Sequence, residues 1–184
     1  MQGRRLIELF EEDQRARAHH PTYGTEEYRE LRRDDAARRD EARDLIEHVD
    51  RLSGEELYCA AMLFQHSDDV DDVHTAHTLA RRSAECGYRP ARWLAAASLD
   101  RWLMYQGRPQ KYGTNIVPDG RRQRVWDVDP RTGDDERAIW DVPPLEEMLR
   151  RAERLTQSEP MPPMSEAPPW LQQAIERWRE TEGW

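Results

Sequence analysis

The sequence predicts a mostly α-helical protein with a short two-stranded β insert and a proline-rich C-terminal strap. Apolar residues recur at helical spacing along most of the 184 residues, between surfaces rich in charge. The stretch from about 112 to 130 departs from this pattern and has the composition of two short strands around a turn. We therefore expect a helical domain over 1–157 that contains the insert, followed by a linker and a short helix over 158–184.

Three helices are predicted in the first part of the chain. The first covers about 4–18 and ends at His20-Pro21, because proline disfavours helix at and before its own position. The second, over about 25–49, follows an N-cap threonine and is long, highly charged and largely exposed. The third covers about 53–66, begins with a Ser-x-x-Glu capping box and is apolar enough to be buried.

A helical hairpin is predicted next, over about 69–107. Gly87 ends its first helix in the left-handed conformation, and Pro90 occupies the first turn of its second helix. Small alanines along both helices allow close packing. The stretch from His77 to Gly107 resembles one unit of the tetratricopeptide or Sel1-type helical repeat, which implies an antiparallel helix pair.

The last part of the chain is expected to hold the insert, a further helix, the strap and a terminal helix. The strands are predicted over 114–117 and 124–128, and the helix over 145–155. Five prolines within 158–169 exclude regular structure there. The terminal helix, over 170–179, is expected to present one apolar face, formed by Leu171, Ala174, Ile175 and Trp178.

Charge and composition exclude several classes of protein. The net charge of −9 repels phosphate backbones and anionic membrane surfaces, so neither nucleic acid nor membrane is an expected partner. No signal-peptide pattern opens the sequence, and no run of 18 apolar residues occurs, so we expect a cytoplasmic protein. Cys59 and Cys86 lie in apolar helical patterns and are predicted to be reduced core thiols.

Three short polar groups stand where apolar helices end, and they are the candidate site. They are Gln65-His66, Asp100-Arg101-Trp102 and Gln110-x-Tyr112-Gly113-Thr114. An Asp-Arg pair inside an apolar stretch is costly to bury unless it finds partners. Two interpretations remain open: an internal ion pair that fixes the hairpin to the insert, or a ligand site.

The catalytic hypothesis assigns each candidate a role. His66 is the general acid or base, Asp100 orients it, and Arg101 holds an anionic or carbonyl oxygen. Tyr112 is a second acid. The expected substrate-binding residues are Gln65, Trp102, Gln110 and Thr114.

A metal site is the rival interpretation of His66, His74 and His77, which lie among aspartates at 68–72. Their spacing lacks a His-Glu-x-x-His pattern, and aspartates before a helix are commonly caps. We therefore expect neither a metal nor another cofactor. The sequence also lacks a Gly-x-Ser-x-Gly nucleophile motif and a phosphate-binding glycine loop.

Five groups in order resemble the signature of a bacterial family catalogued as a domain of unknown function. They are Asp13-Gln14-x-x-Arg17, Gln65-His66, Asp100-Arg101, Gln110-x-Tyr112-Gly113-Thr114, and Asp134/Asp135 with Arg137 before Pro143-Pro144-Leu145. The resemblance covers roughly residues 5 to 150 and supplies no reaction. It implies that the candidate residues coincide with family positions, as a shared site or as a shared structural network.

Three functions follow as hypotheses. The first is a cofactor-independent acid/base enzyme, a hydrolase, cyclase, isomerase or lyase, that acts on a small molecule. The alternative is a non-catalytic helical module that binds a protein partner in a groove, with the tryptophan-bearing terminal helix as an anchor. A third, an immunity-type protein that binds a basic partner, fits the net charge alone. The oligomeric state is left open.

Overall fold

The computed structural model describes residues 2–18, 25–49 and 51–184, without the side chains of Gln2 and Glu166. These residues form eight α-helices and one two-stranded antiparallel sheet, so the predicted helical class with a small β insert is confirmed. None of the helices in these ranges is both long and apolar enough to cross a membrane. The predicted helix end at His20-Pro21 lies outside the described residues.

The chain divides into two compact units, Met1–Ser98 and Leu99–Trp184, and the division falls within a helix. The first unit contains α1 (Gln2–Arg17), α2 (Glu26–His48), α3 (Gly54–Gln65), α4 (Val70–Glu85) and the beginning of α5 (Ala91–Tyr105). In this unit α1 packs against α2 and α3, and α3 packs against α4. Leucines of α1 and the apolar face of α3 form the buried core, with Leu6, Leu9, Leu57 and Phe64 at its centre.

The helix ends of the first unit follow the predicted capping chemistry. The Thr25 side chain accepts a hydrogen bond from the backbone N–H of Tyr28, and Ser53 and Glu56 form both halves of a capping box. Gly87 has a φ of 85°, the left-handed conformation expected of it. These caps explain why the helix boundaries were predictable. The tetratricopeptide-like identity of the hairpin stays a prediction.

The second unit contains the end of α5, β1 (Ile116–Pro118), β2 (Gln123–Val125), α6 (Asp134–Ile139), α7 (Leu145–Ser158) and α8 (Pro169–Glu182). The strands pair antiparallel, with Val117 opposite Arg124. Helix α7 packs against β2. The predicted insert at 112–130 and the predicted terminal segment at 158–184 both fall within this unit.

Helix α8 supplies much of the core of the second unit. Leu171, Ala174, Ile175 and Trp178, the predicted apolar face, are all buried. They cluster with Met104, Val117 and Trp126. A single 3-10 turn at Met164–Glu166 lies between α7 and α8, and the description of that segment as a strap stays a prediction.

Two local predictions need correction. Helix α6 was not predicted; it begins after Gly133, and three acidic residues in its first turn favour its N-terminal end. Cys86 is exposed, because it caps the C-terminus of α4, whereas Cys59 is buried as predicted. Burial raises the pKa of Cys59 to about 12, with nearby glutamates adding to the rise.

Candidate functional site

The predicted site residues are distributed over both units. Gln65 ends α3 and His66 is its C-cap, both in the first unit. The second unit holds Asp100, Arg101, Trp102, Gln110, Tyr112 and Thr114. The two groups have different chemical surroundings.

Asp100 is fully buried, and its carboxylate holds the loop that follows α5. Oδ1 accepts hydrogen bonds from the backbone N–H groups of Lys111 at 2.7 Å and Tyr112 at 2.9 Å. Oδ2 accepts from the backbone N–H of Thr114 at 3.0 Å and from its hydroxyl at 2.8 Å. Burial raises the pKa of Asp100, and these four hydrogen bonds oppose the rise by stabilising the carboxylate. Both oxygens are therefore engaged in fixing the loop.

Gln110 is also fully buried and links the same loop to the segment after β2. Its Nε2 donates to the carbonyl oxygens of Asn115 at 3.2 Å and Trp126 at 2.9 Å. Its Oε1 accepts from the backbone N–H of Asn115 at 2.9 Å. The backbone N–H of Gln110 donates to the carbonyl oxygen of Asp127 at 2.8 Å. The side-chain amide thus bridges three backbone groups of the second unit.

Tyr112 is buried and is fixed through its backbone as well. Its carbonyl oxygen accepts a hydrogen bond from Nε of Arg137 at 2.9 Å. Arg137 also donates to the carbonyl oxygen of Thr132 and to the carboxylate of Asp134. Burial raises the pKa of the Tyr112 hydroxyl. One hydrogen-bonded network therefore joins Asp100, Gln110, Tyr112, Thr114, Asp134 and Arg137.

Arg101 and Trp102 are half-buried on α5. The guanidinium carbon of Arg108 lies 5.9 Å from the ring centroid of Trp102, within cation–π range. The carbonyl oxygen of Trp102 accepts a hydrogen bond from Nε2 of Gln106 at 2.7 Å. The structure therefore places the Arg108 guanidinium over the Trp102 ring.

His66 lies beside a buried carboxylate of α1. Its Nε2 is 3.6 Å from Oδ2 of Asp13. The side chain of Asp13 is 2% exposed, whereas that of His66 is 23% exposed. Nε2 itself is shielded from solvent, so the exposed part of the ring lies elsewhere on the imidazole. An imidazole beside a carboxylate is a pairing that acid–base sites use.

Arg17 joins that carboxylate to a second buried one. Its Nε donates to both oxygens of Asp13 at 3.1 Å, and its Nη2 donates to Oδ2 of Asp35 at 2.7 Å. Burial lowers the pKa of Arg17, but the hydrogen bonds and charges of both aspartates outweigh it, so the pKa is raised overall. The guanidinium thus remains charged and compensates two carboxylates that are shielded from water.

Two further arginines of α2 complete this group, which we call the first-unit cluster: Asp13, Arg17, Arg32, Asp35, Arg38 and His66. Arg38 Nη2 donates to Oδ1 of Asp35 at 2.8 Å. Arg32 Nη1 donates to the backbone carbonyl oxygen of His66 at 2.7 Å and lies 3.7 Å from Oδ2 of Asp35. The position of the His66 backbone is therefore fixed by a side chain from α2.

Asp13 and Arg17 belong to the first of the five groups that carry the family resemblance. Neither they nor the α2 residues were among the predicted site residues. The signal that identifies the two aspartates is their place on the buried helix face. Asp13 follows Leu9 by four residues, and Asp35 follows Leu31 by four, so each occupies a position where the stripe predicts an apolar residue.

The remaining histidines of the rival metal hypothesis lie on α4. His74 is exposed, and Nδ1 of the partly buried His77 lies 2.8 Å from the carbonyl oxygen of Ala95. Among the described residues, no three His, Cys, Asp or Glu side chains are grouped closely enough to hold a metal ion.

Comparison with known proteins identifies no family for this chain. No protein-family model matches the chain, and neither does any curated protein or solved structure compared with it. The arrangement of the first-unit cluster is therefore the main evidence on function.

Proposed function

We propose that the chain is a cofactor-independent enzyme acting on a small molecule, in which His66 is the general acid or base. One observation carries the proposal: a partly exposed imidazole lies 3.6 Å from a carboxylate that is buried and held by a guanidinium. Acid–base enzymes use this combination because the carboxylate orients the imidazole and stabilises its protonated form. Hydrolysis, cyclisation, isomerisation and elimination are the reaction classes that such a group serves.

In this proposal Asp13 takes the orienting role that the sequence analysis gave to Asp100. The oxygens of Asp100 accept four hydrogen bonds from the loop that follows α5, whereas Oδ2 of Asp13 lies next to the imidazole of His66. Arg17 holds both oxygens of Asp13, which fixes the carboxylate relative to His66. The roles assigned to Arg101 and Tyr112 stay predictions.

The proton moves through His66 alone in this scheme. The imidazole removes a proton from the substrate, and the positive charge that results lies beside the carboxylate of Asp13. Arg32 keeps the His66 backbone in place through the hydrogen bond to its carbonyl oxygen. Return of the same proton to a leaving group or to another substrate carbon completes the cycle, so the imidazole is regenerated without any other proton carrier.

The proposal is tested by incubating the purified protein with a bacterial metabolite extract and following every mass-spectrometric signal with time. We expect the wild type to consume at least one metabolite. His66→Gln should slow that consumption by about 100-fold or more, the usual contribution of a general acid or base.

His74→Gln is the matched control, because His74 is an exposed histidine of the same unit outside the cluster. It should retain wild-type consumption, and thermal unfolding should show that both variants fold. If no metabolite is consumed, or if His66→Gln consumes it at the wild-type rate, the enzymatic proposal is wrong and the interaction module becomes the better hypothesis.

A further inference from the structure

The charges of the first-unit cluster lie in two layers. The carboxylates of Asp13 and Asp35 form the buried layer, with side chains 2% and 1% exposed. The outer layer is cationic: the side chains of Arg17 and Arg32 are about a quarter exposed, at 25% and 24%. These two guanidinium groups are thus about as exposed as the His66 side chain, at 23%, although the protein as a whole carries a net charge of −9.

Arg32 already binds a carboxylate at the outer edge of this layer. Its Nη2 donates to Oδ2 of Asp68, and the Asp68 side chain is 82% exposed. A ligand cannot easily displace the two buried aspartates from their arginines, which come from two helices. Asp68 is different, since an exposed carboxylate exchanges its partner with water at little cost.

We infer that the substrate of this site carries a carboxylate or phosphate group, which replaces Asp68 on Arg32. This inference rests on the proposed function and specifies its substrate class. Nη2 of Arg32 can donate to an oxygen of either anion, as it does to Oδ2 of Asp68, while Nη1 stays on the His66 carbonyl oxygen. Because Arg32 also holds the His66 backbone, an anion bound there lies next to the general acid or base.

The test measures anion binding by NMR, from the chemical shifts of the His66 ring and the Arg32 Nε–H group. Inorganic phosphate and acetate are titrated separately, with sodium chloride replaced so that ionic strength stays constant. We expect saturable shifts with at least one of them. Asp68→Asn should tighten binding about threefold, because the competing exposed carboxylate is gone.

Asp71→Asn is the matched control: it removes one negative charge from a neighbouring exposed position that makes no contact with Arg32 among the described hydrogen bonds. Its affinity should equal that of the wild type. Arg32→Lys keeps the charge but has one nitrogen in place of the two that reach the His66 carbonyl oxygen and the Asp68 carboxylate, so it should weaken binding. The inference fails if neither anion binds saturably to Asp68→Asn, or if Asp71→Asn tightens binding as much as Asp68→Asn.

This outcome is separable from that of the proposed function. Consumption of a neutral metabolite that depends on His66, without anion binding at Arg32, would leave the enzyme proposal standing and exclude the anionic substrate. Anion binding that depends on Arg32, without any reaction that depends on His66, would establish the anion site and exclude catalysis by His66.

Discussion

At the scale of single residues, Asp13, Asp35 and Asp100 each lie on a buried helix face but are satisfied by different donors. Backbone N–H groups and a hydroxyl donate hydrogen bonds to Asp100, and these neutral donors stabilise its carboxylate within the second unit. Guanidinium groups satisfy Asp13 and Asp35, and these carry positive charge to the protein surface. The first arrangement stabilises a loop, whereas the second leaves partly exposed guanidinium groups next to His66, as the proposed function requires.

Asp100→Asn should lower the free energy of unfolding by about 3 kcal/mol. An asparagine of the same shape places an NH2 group against the backbone N–H donors of the loop, so up to two of the four hydrogen bonds are lost. Urea denaturation measures the change. Asp135→Asn, at an exposed position of the same unit, should change the stability little; a similarly small effect for Asp100→Asn would contradict the anchoring role.

His77 predicts a pH dependence of stability. Burial lowers its pKa below the ordinary value of 6.5, outweighing the hydrogen bond to the Ala95 carbonyl oxygen that raises it. The unfolded chain therefore takes up the proton first as the pH falls below 6.5, and the folded state loses stability from there down to the lowered pKa. The free energy of unfolding between pH 7.5 and 5.5 should fall less in His77→Gln than in the wild type.

The exposed His48 provides the reference for that slope. His48→Gln should follow the wild-type pH dependence, because unfolding removes little burial from a side chain that is already exposed. Equal slopes for the wild type and His77→Gln would show that burial of His77 does not perturb its ionisation.

At the scale of elements, the sequence predicted which face of α8 is buried but not which residues that face packs against. The spacing of Leu171 and Trp178 identifies the buried face. This face packs against Trp126, whose ring centroid lies 5.3 Å from that of Trp178. Contact between residues so far apart in sequence is set by packing, which periodicity does not encode.

Trp178→Ala should lower the free energy of unfolding by about 4 kcal/mol, the usual cost of removing a buried aromatic side chain. Its ring is enclosed by Trp126 on one side and by the Arg124 guanidinium, 4.0 Å from its centroid. Its Nε1 also donates to Asp127 at 2.9 Å. Denaturant unfolding tests this, with the exposed Glu180→Ala in the same helix as the control; equal stabilities would mean that α8 is not part of the core.

Helix boundaries were predictable wherever a cap encodes them, and not elsewhere. Thr25, Ser53 and Gly87 mark three boundaries that the structure confirms. Helix α6 has only six residues, and its N-cap Gly133 makes no side-chain hydrogen bond, so the sequence carries no comparable signal for it.

At the scale of the whole molecule, the candidate residues fall into two units with different roles. The second-unit residues were selected because they are polar among apolar neighbours. Burial within a hydrogen-bonded network explains that pattern for Asp100 and Gln110, and the partly buried Thr114 bonds to the same network. His66 was selected as a histidine where an apolar helix ends, and its role stays a proposal. Its partner Asp13 lies more than 50 residues earlier, so only the packing of α1 on α3 brings them together.

The pairing of His66 with Asp13 is tested most directly by the rate at which diethyl pyrocarbonate modifies each histidine at pH 8, resolved by mass spectrometry. A carboxylate close to one ring nitrogen makes the other nitrogen a better nucleophile. We predict that His66 reacts faster than the more exposed His74, and that Asp13→Asn slows His66 several-fold while leaving His74 unchanged. Reaction of His66 more slowly than His74, with no effect of Asp13→Asn, would contradict an acid–base centre at this pair.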